Sequence, residues 1–311
     1  MNASVPRFSL PRDGSVFAKK IFGRCHDLIA YGIWAGIESS RLDLWIANFQ
    51  TEEERYFAAC VLDALIYRST SQTVSLMRQL FQRVLPDYGR LVADAPPCLN
   101  SVYEKLKNHT SADDPGIRLV PVVRREDPYS KSAPTIARVL KRQMGFKERL
   151  IIRAEQVPDC LAAAAELIIF VDDFLGTGEQ FETFLRAEQL DVYAGSGRLL
   201  YAPIVAHIKG RDHLRTTFEG LHVEPVELLD DRHAVFHDGS RCFADGTNTP
   251  EGARDFYYNL LERHDITVGG SDRRGYGHFE LVYAFEHAVP DNSLPILWWP
   301  HTNGWPPLFA R

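Results

Sequence analysis

The apolar positions change period along this chain, and the change divides it. From Val16 to about Tyr88 they recur at helical spacing: Phe17, Ile21 and Phe22, then Leu28, Ile29, Ile33 and Trp34, then Leu42, Trp45, Ile46 and Phe49. Thr51 followed by Glu54 has the spacing of a capping box. It predicts a helix carrying Tyr56, Phe57, Ala59, Cys60, Leu62, Leu65 and Ile66 inward. Ser71 caps a further predicted helix, with Val74, Met77, Leu80, Phe81 and Val84 inward, which Pro86 should end. The first 15 residues, with Pro6 and Pro11, read as an extended arm before a bundle of roughly four or five helices.

A break follows at Ala93 to Cys98, marked by Pro96 and Pro97. Beyond it, short apolar runs alternate with helical patterns. Strands are expected at Ile117 to Val123, Leu150 to Arg153, Leu167 to Val171, Arg198 to His207 and Leu221 to Leu229. Helices are expected at Ala133 to Arg142, Pro158 to Glu166 (as helix or turn), Glu179 to Gln189, Gly210 to Glu219 and Glu251 to His264. This alternation predicts an α/β fold with a parallel sheet covered on both faces. Ligands of such sheets sit at the carboxyl ends of the strands. Residues 275 to 300 read as a strand, a turn and an aromatic end. The expected organisation is an N-terminal helical region over 1–95 and an α/β domain over 96–311, whose last part, from about 265, is a flanking hood.

At 311 residues, with 45% hydrophobic and 24% charged positions, the composition is that of an ordinary globular protein. The 35 basic and 41 acidic residues leave a net charge of −6, which argues against broad nucleic-acid binding by charge alone. Cys25, Cys60, Cys98, Cys160 and Cys242 are far apart and form no C-x-x-C pair, so reduced, mostly buried thiols in a cytoplasmic protein are expected. The first residues contain no apolar signal core, and no run approaches the roughly 18 apolar residues of a membrane span.

The candidate chemistry centres on Val171 to Gln180, VDDFLGTGEQ. An apolar strand leads into two carboxylates, then a turn with Gly176, Thr177 and Gly178, then a helix. Such a turn offers backbone N–H groups and a helix N-terminus to a phosphate, while the acids suit ribose hydroxyls or a hydrated Mg²⁺. It equally suits a βα turn whose acids cap a helix. The segment resembles the PRPP-binding motif of the type I phosphoribosyltransferases: two acids, three variable residues, Thr or Ser, Gly, a variable residue, and Thr or Ser. Asp172, Asp173, Thr177 and Gly178 match. Gln180 stands where a hydroxyl residue is usual, and Glu179 adds a negative charge beside the turn.

The resemblance implies a phosphoribosyltransferase-type, Rossmann-like core. Asp172 and Asp173 would face the ribose and hold Mg²⁺ through water, and Gly176, Thr177, Gly178, Glu179 and Gln180 would wrap the 5′-phosphate. By position in the family, the loop Arg124 to Pro134 would bind pyrophosphate through Arg124, Ser130, Lys131 and Ser132. The residues alone read equally well as a solvated polar loop with a Ser cap. Tyr276, Phe279 and His287 could stack on or read a nucleobase, or simply pack into the core. Asp230 to His233 could help hold Mg²⁺ or a base, or form a turn after a strand.

More of the chain resembles a divergent phosphoribosyltransferase-like family of bacterial conflict and antiphage loci. The matching strings are W-I-x-N-F at Trp45 to Phe49, S-K-S at Ser130 to Ser132, D-D-F-x-G-T-G at Asp172 to Gly178, and H-x-x-P-D-N-S-L-P-x-x-W at His287 to Trp298. The expectation is a protein that binds PRPP or a related ribosyl phosphate. It would be an effector acting on nucleotides or nucleic acid, with a protein partner docked on its helical region. A metabolic nucleobase phosphoribosyltransferase and a non-catalytic ligand sensor are the alternatives.

Overall fold

Thr51 and Glu54 start a helix, as their spacing requires, in the computed structural model, which describes residues 8–108, 116–122, 132–163, 165–243, 245–266, 272–299 and 304–309. The first elements are helices α1 (Gly14–Ala30), α2 (Ser39–Ala47) and α3 (Glu52–Ala64), strand β1 (Ile66–Arg68), and helices α4 (Thr70–Gln79), α5 (Leu85–Leu91) and α6 (Val102–Asn108). Strands and helices then alternate: β2 (Ile117–Pro121), α7 (Ser132–Arg138), α8 (Val157–Ala162), β3 (Leu167–Leu175), α9 (Glu179–Ala187), β4 (Leu199–His207), α10 (Ile208–Thr217), β5 (His222–Val223) and β6 (Glu227–Leu229). Helix α11 (Pro250–Arg263) and strand β7 (Tyr283–Phe285) come last. These elements gather into two units, Met1–Thr70 with Asp230–Arg311, and Ser71–Leu229. The division cuts across the sequence boundary near residue 95, because the two ends of the chain share one core.

In the first unit that core joins α1, α2 and α3 to α11 and the C-terminal segment, with Trp45, Phe57, Tyr257 and Trp305 fully buried. The indole N–H of Trp45 donates to the Ile296 carbonyl at 2.9 Å. Glu54 works twice. One carboxylate oxygen accepts from the backbone N–H groups of Gln50 and Thr51, and the other meets Arg263 of α11 at 2.6 Å. The expected inward helical positions Leu65 and Ile66 lie outside α3. Leu65 turns extended (φ −61°, ψ 121°), and Ile66 to Arg68 pair in parallel with Tyr283 to Phe285. A partner more than 200 residues away thus overrides the local helical pattern. Of the strand, turn and aromatic end expected over 275 to 300, the strand is the short β7. The rest of the described stretch is irregular apart from 3₁₀ segments at Tyr276–His278 and Pro295–Leu297.

In the second unit β2, β3, β4 and β5 are neighbours in that order and all pairs are parallel, with β6 also alongside β4. This is the expected α/β architecture with a Rossmann-like parallel sheet. Residues Leu167 to Val171 of β3 are fully buried, consistent with an uninterrupted apolar run covered on both faces. Three expectations are corrected here. The run at Leu221 to Leu229 is two short strands on β4 rather than one. Leu150 to Arg153 contributes only the end of a 3₁₀ turn and a single bridge from Ile151 to Leu119. Pro86 does not end a helix. The chain passes from α4 through a π-turn at Leu80–Val84 into α5, where Pro86 sits in the first turn, the place where its missing N–H matters least.

His222 on β5 is buried, and its Nδ1 lies 2.6 Å from the Tyr88 hydroxyl. Burial pushes its pKa below the ordinary 6.5, with Asp94 opposing. The unfolded chain therefore binds a proton here more readily than the folded one. The stability His222 contributes is present above pH 6.5 and is lost as pH falls towards its folded value. The urea midpoint should fall between pH 7.5 and 5.5, and fall less in His222→Asn; an identical slope in the variant counts against this.

Four of the five cysteines are buried and Cys160 is half-buried, all as free thiols. Burial raises Cys60 to about 12 and Cys242 to about 11, which keeps both as unreactive thiols at neutral pH. Among the described residues no helix is long and apolar enough to cross a membrane.

Candidate functional site

Strand β3 does not stop before its acids. Asp172 and Asp173 are its sixth and seventh residues, and both are buried (5% and 8% exposed). Pairing with β4 continues past them, with Asp172 opposite Pro203 and Leu175 opposite Ala206. The expectation of a strand ending at Val171 is corrected accordingly, because β4 is long enough to support four more residues. The helix cap is Gly178, at φ +93°, rather than either acid.

Alternation along β3 puts Asp172 on the face of Ile168 and Phe170, beneath Phe181 and Phe184 of α9. A carboxyl in that apolar layer needs partners. The Tyr201 hydroxyl on β4 donates to Asp172 Oδ2 at 2.9 Å, and the Asp173 backbone N–H donates to Asp172 Oδ1 at 2.9 Å. The Tyr201 ring is in turn clamped on Phe181, with centroids 3.7 Å apart and planes within 2°. Burial first, and the neighbouring Asp173 charge second, hold the Asp172 carboxyl well above the usual carboxylate range. Burial and then Asp172 push the Tyr201 phenol upward. The Asp172 carboxyl is thus easier to protonate than an ordinary aspartate.

The turn Gly176 to Gly178 connects β3 to α9. Thr177 Oγ1 accepts from the Glu179 N–H at 3.4 Å, and the side chains of Glu179 and Gln180 are exposed on the first turn of α9. The turn is seated on α10. A Cβ at Gly210 would lie 1.9 Å from the Gly176 carbonyl oxygen and 3.0 Å from the Thr177 carbonyl carbon. A Cβ at Gly178 would lie 2.9 Å from the His213 ring and 3.1 Å from the Gly210 oxygen. His213 and Glu182, 2.7 Å apart, tie α10 to α9 beside this contact. The N-termini of two helices and the carboxyl ends of β3 and β4 therefore meet at one turn. Its backbone N–H groups and the positive ends of the helix dipoles suit an anion.

Tyr201, Gly210 and His213 were not legible as site residues. Tyr201 sits in an apolar run that reads as core, and Gly210 reads as the start of a helix. A glycine two residues inside a helix, just after a strand, was the one available signal, since helices disfavour it.

The other candidates are not brought to this turn by any described contact. Arg124, Ser130 and Lys131 lie outside the described residues, and Ser132 is described only as the first residue of α7. Tyr276, Phe279 and His287 belong to the first unit. There Tyr276 is 40% exposed and its carbonyl accepts from Asn292, Phe279 is buried, and the His287 ring lies 5.2 Å from that of Phe285. Asp230 to His233 forms a 3₁₀ turn, where Asp230 accepts from the Arg232 N–H and side chain, which hold its carboxyl low.

No group of three or more His, Cys, Asp or Glu side chains suited to a metal occurs among the described residues. With both Asp172 oxygens already accepting hydrogen bonds, the acid pair does not make an inner-sphere cage. A cation held here would have to keep water between itself and the Asp172 oxygens.

A family model described as PRTase-CE matches residues 42–311. No curated protein and no solved structure matches the chain.

Proposed function

The chain belongs to the PRTase-CE family, which is phosphoribosyltransferase-like, and from that premise we propose that it binds PRPP or a related ribosyl phosphate at Val171 to Gln180. In this reading it is an effector of a bacterial conflict or antiphage system that acts on nucleotides or nucleic acid. The observation that carries the binding reading is the turn itself: Gly176 to Gly178, seated on Gly210, at the carboxyl end of an inner parallel strand and directly before α9. The net charge of −6 favours a small nucleotide over a long nucleic acid as acceptor.

The roles divide by environment. Backbone N–H groups of the turn and of the α9 start hold the 5′-phosphate, with Thr177 supplying a hydroxyl. Asp173 faces the ribose hydroxyls, and Asp172 sets the end of the strand from beneath. Mg²⁺, when bound with the ligand, neutralises the pyrophosphate. In transfer, the bond from C1 of ribose to the pyrophosphate oxygen breaks, and its electron pair leaves with pyrophosphate. The acceptor nucleophile then forms the new bond to C1. The ribose cation formed between these events is offset by the nearby carboxylate and the departing group.

One observation favours a second reading, a sensor that binds without turnover. Burial and the neighbouring Asp173 charge hold the Asp172 carboxyl above the usual carboxylate range, so the pair offers less negative charge to a ribose cation than two ordinary acids would.

The test is Mg²⁺-dependent PRPP calorimetry on wild type and Asp173→Asn, with pyrophosphate release followed in the same samples. Asp173→Asn is expected to weaken binding at least tenfold, about 1.4 kcal/mol, with the melting temperature nearly unchanged. Equal affinity in the two proteins sinks the assignment of Asp173. Binding without pyrophosphate release selects the sensor. For the effector reading, expression without a partner should be toxic in wild type and harmless in Asp172→Ala; a harmless wild type argues against it.

A further inference from the structure

We propose that Tyr201 is a positioning residue that makes this turn selective for ribose-bearing phosphates over bare phosphates. The inference rests on the phosphoribosyl reading above and extends it to a residue in a different strand.

Tyr201 is 1% exposed and lies on β4 opposite Phe170, two positions along β3 from Asp172 and on the same face. The hydrogen bond its hydroxyl makes is to the strand, not to the turn at Gly176 to Gly178. Its contact is the Asp172 carboxyl, at 2.9 Å. The same carboxyl accepts the backbone N–H of Asp173, so a single side chain is held between β4 and the strand's own next amide. Removing the hydroxyl frees one of these two anchors and leaves a buried carboxyl oxygen without its donor. The carboxyl would then reorient, and the Asp173 amide bonded to it would move as well. Asp173 is the residue placed at the ribose. The phosphate-binding N–H groups come later, in a turn seated independently on Gly210. Loss of the hydroxyl should therefore disturb ribose recognition and spare phosphate recognition.

The ring has a separate job. It packs against Phe181 at 3.7 Å in the first turns of α9 and belongs to the apolar cluster on that face. Tyr201→Phe keeps this stack and deletes only the hydroxyl, so it separates positioning from packing.

The experiment measures PRPP and inorganic phosphate, the second as a ribose-free probe of the turn, by calorimetry on wild type, Tyr201→Phe, Asp172→Ala and the double variant. The expected result is an approximately tenfold loss of PRPP affinity in Tyr201→Phe, with inorganic phosphate affinity and melting temperature close to wild type. In the Asp172→Ala background, Tyr201→Phe should cost nothing more, because the hydroxyl acts only through that carboxyl. Equal losses for the two probes would make Tyr201 a packing residue and overturn the proposal. So would an unchanged PRPP affinity, or losses that add in the double variant. If Tyr201→Phe does not fold, a PRPP-to-phosphate affinity ratio in Asp172→Ala equal to that of wild type overturns it as well. Wild type that binds no PRPP overturns the phosphoribosyl reading itself, an outcome distinct from all of these.

Discussion

Gly210→Ala is expected to dislodge the turn at Gly176 to Gly178, lowering stability by about 3 kcal/mol and PRPP affinity at least tenfold. The added methyl would meet the Gly176 carbonyl oxygen at 1.9 Å, the Gly176 carbonyl carbon at 2.9 Å and the Thr177 carbonyl carbon at 3.0 Å. All three are backbone atoms, so no side chain can swing away to relieve the clash. Either α10 lifts from the sheet or the turn moves, and each spoils the anion seat. The turn has little freedom of its own, since Gly178 holds φ +93° and already sits against the Gly210 oxygen. Gly23→Ala in α1 is the control. Its Cβ would meet nothing within 4 Å, and replacing glycine in a helix should stabilise by about 0.5–1 kcal/mol. Urea unfolding and PRPP calorimetry on both variants check this. Wild-type midpoint and affinity in Gly210→Ala would falsify the account of the turn.

Phe57→Ala should be the most destabilising single change in the first unit, at about 3–5 kcal/mol. Phe57 is fully buried, and its ring lies 5.4 Å from Phe243, 5.6 Å from Phe256, 6.0 Å from Phe8, 6.0 Å from Tyr257 and 6.3 Å from Phe236. Those five rings come from the N-terminal arm, the segment before α11, and α11 itself, so no single element can close the cavity by shifting. In a chain of this size such a loss lowers the melting temperature by about 5–8 °C. Calorimetric melting of Phe57→Ala and Phe57→Leu checks this, with Leu expected to recover much of the loss. A drop of a degree or two in Phe57→Ala would show that the aromatic cluster is not the core of this unit.

The elements that local sequence determined are those whose causes lie within a few residues. Thr51 and Glu54 make a capping box because a side chain can reach a backbone N–H three residues away, and they do so here. Leu167 to Val171 is a strand because five successive apolar residues suit burial on both faces of a sheet. The order of acids, Thr and Gly after that apolar run located the candidate turn and the family. What tertiary structure alone decided concerns partners that are remote in sequence. Ile66 to Arg68 leave the helical pattern because Tyr283 to Phe285 offer them a parallel ladder. The chain ends share a core because their aromatic faces are complementary, which no local periodicity encodes. Asp172 turns inward to Tyr201, and Gly210 is glycine because the Gly176 carbonyl comes close, each a contact across 29 or more residues. Short-range hydrogen bonding and periodicity can be read from one segment at a time. Side-chain pairing across strands and the close approach of two backbones exist only once the sheet has brought those segments together.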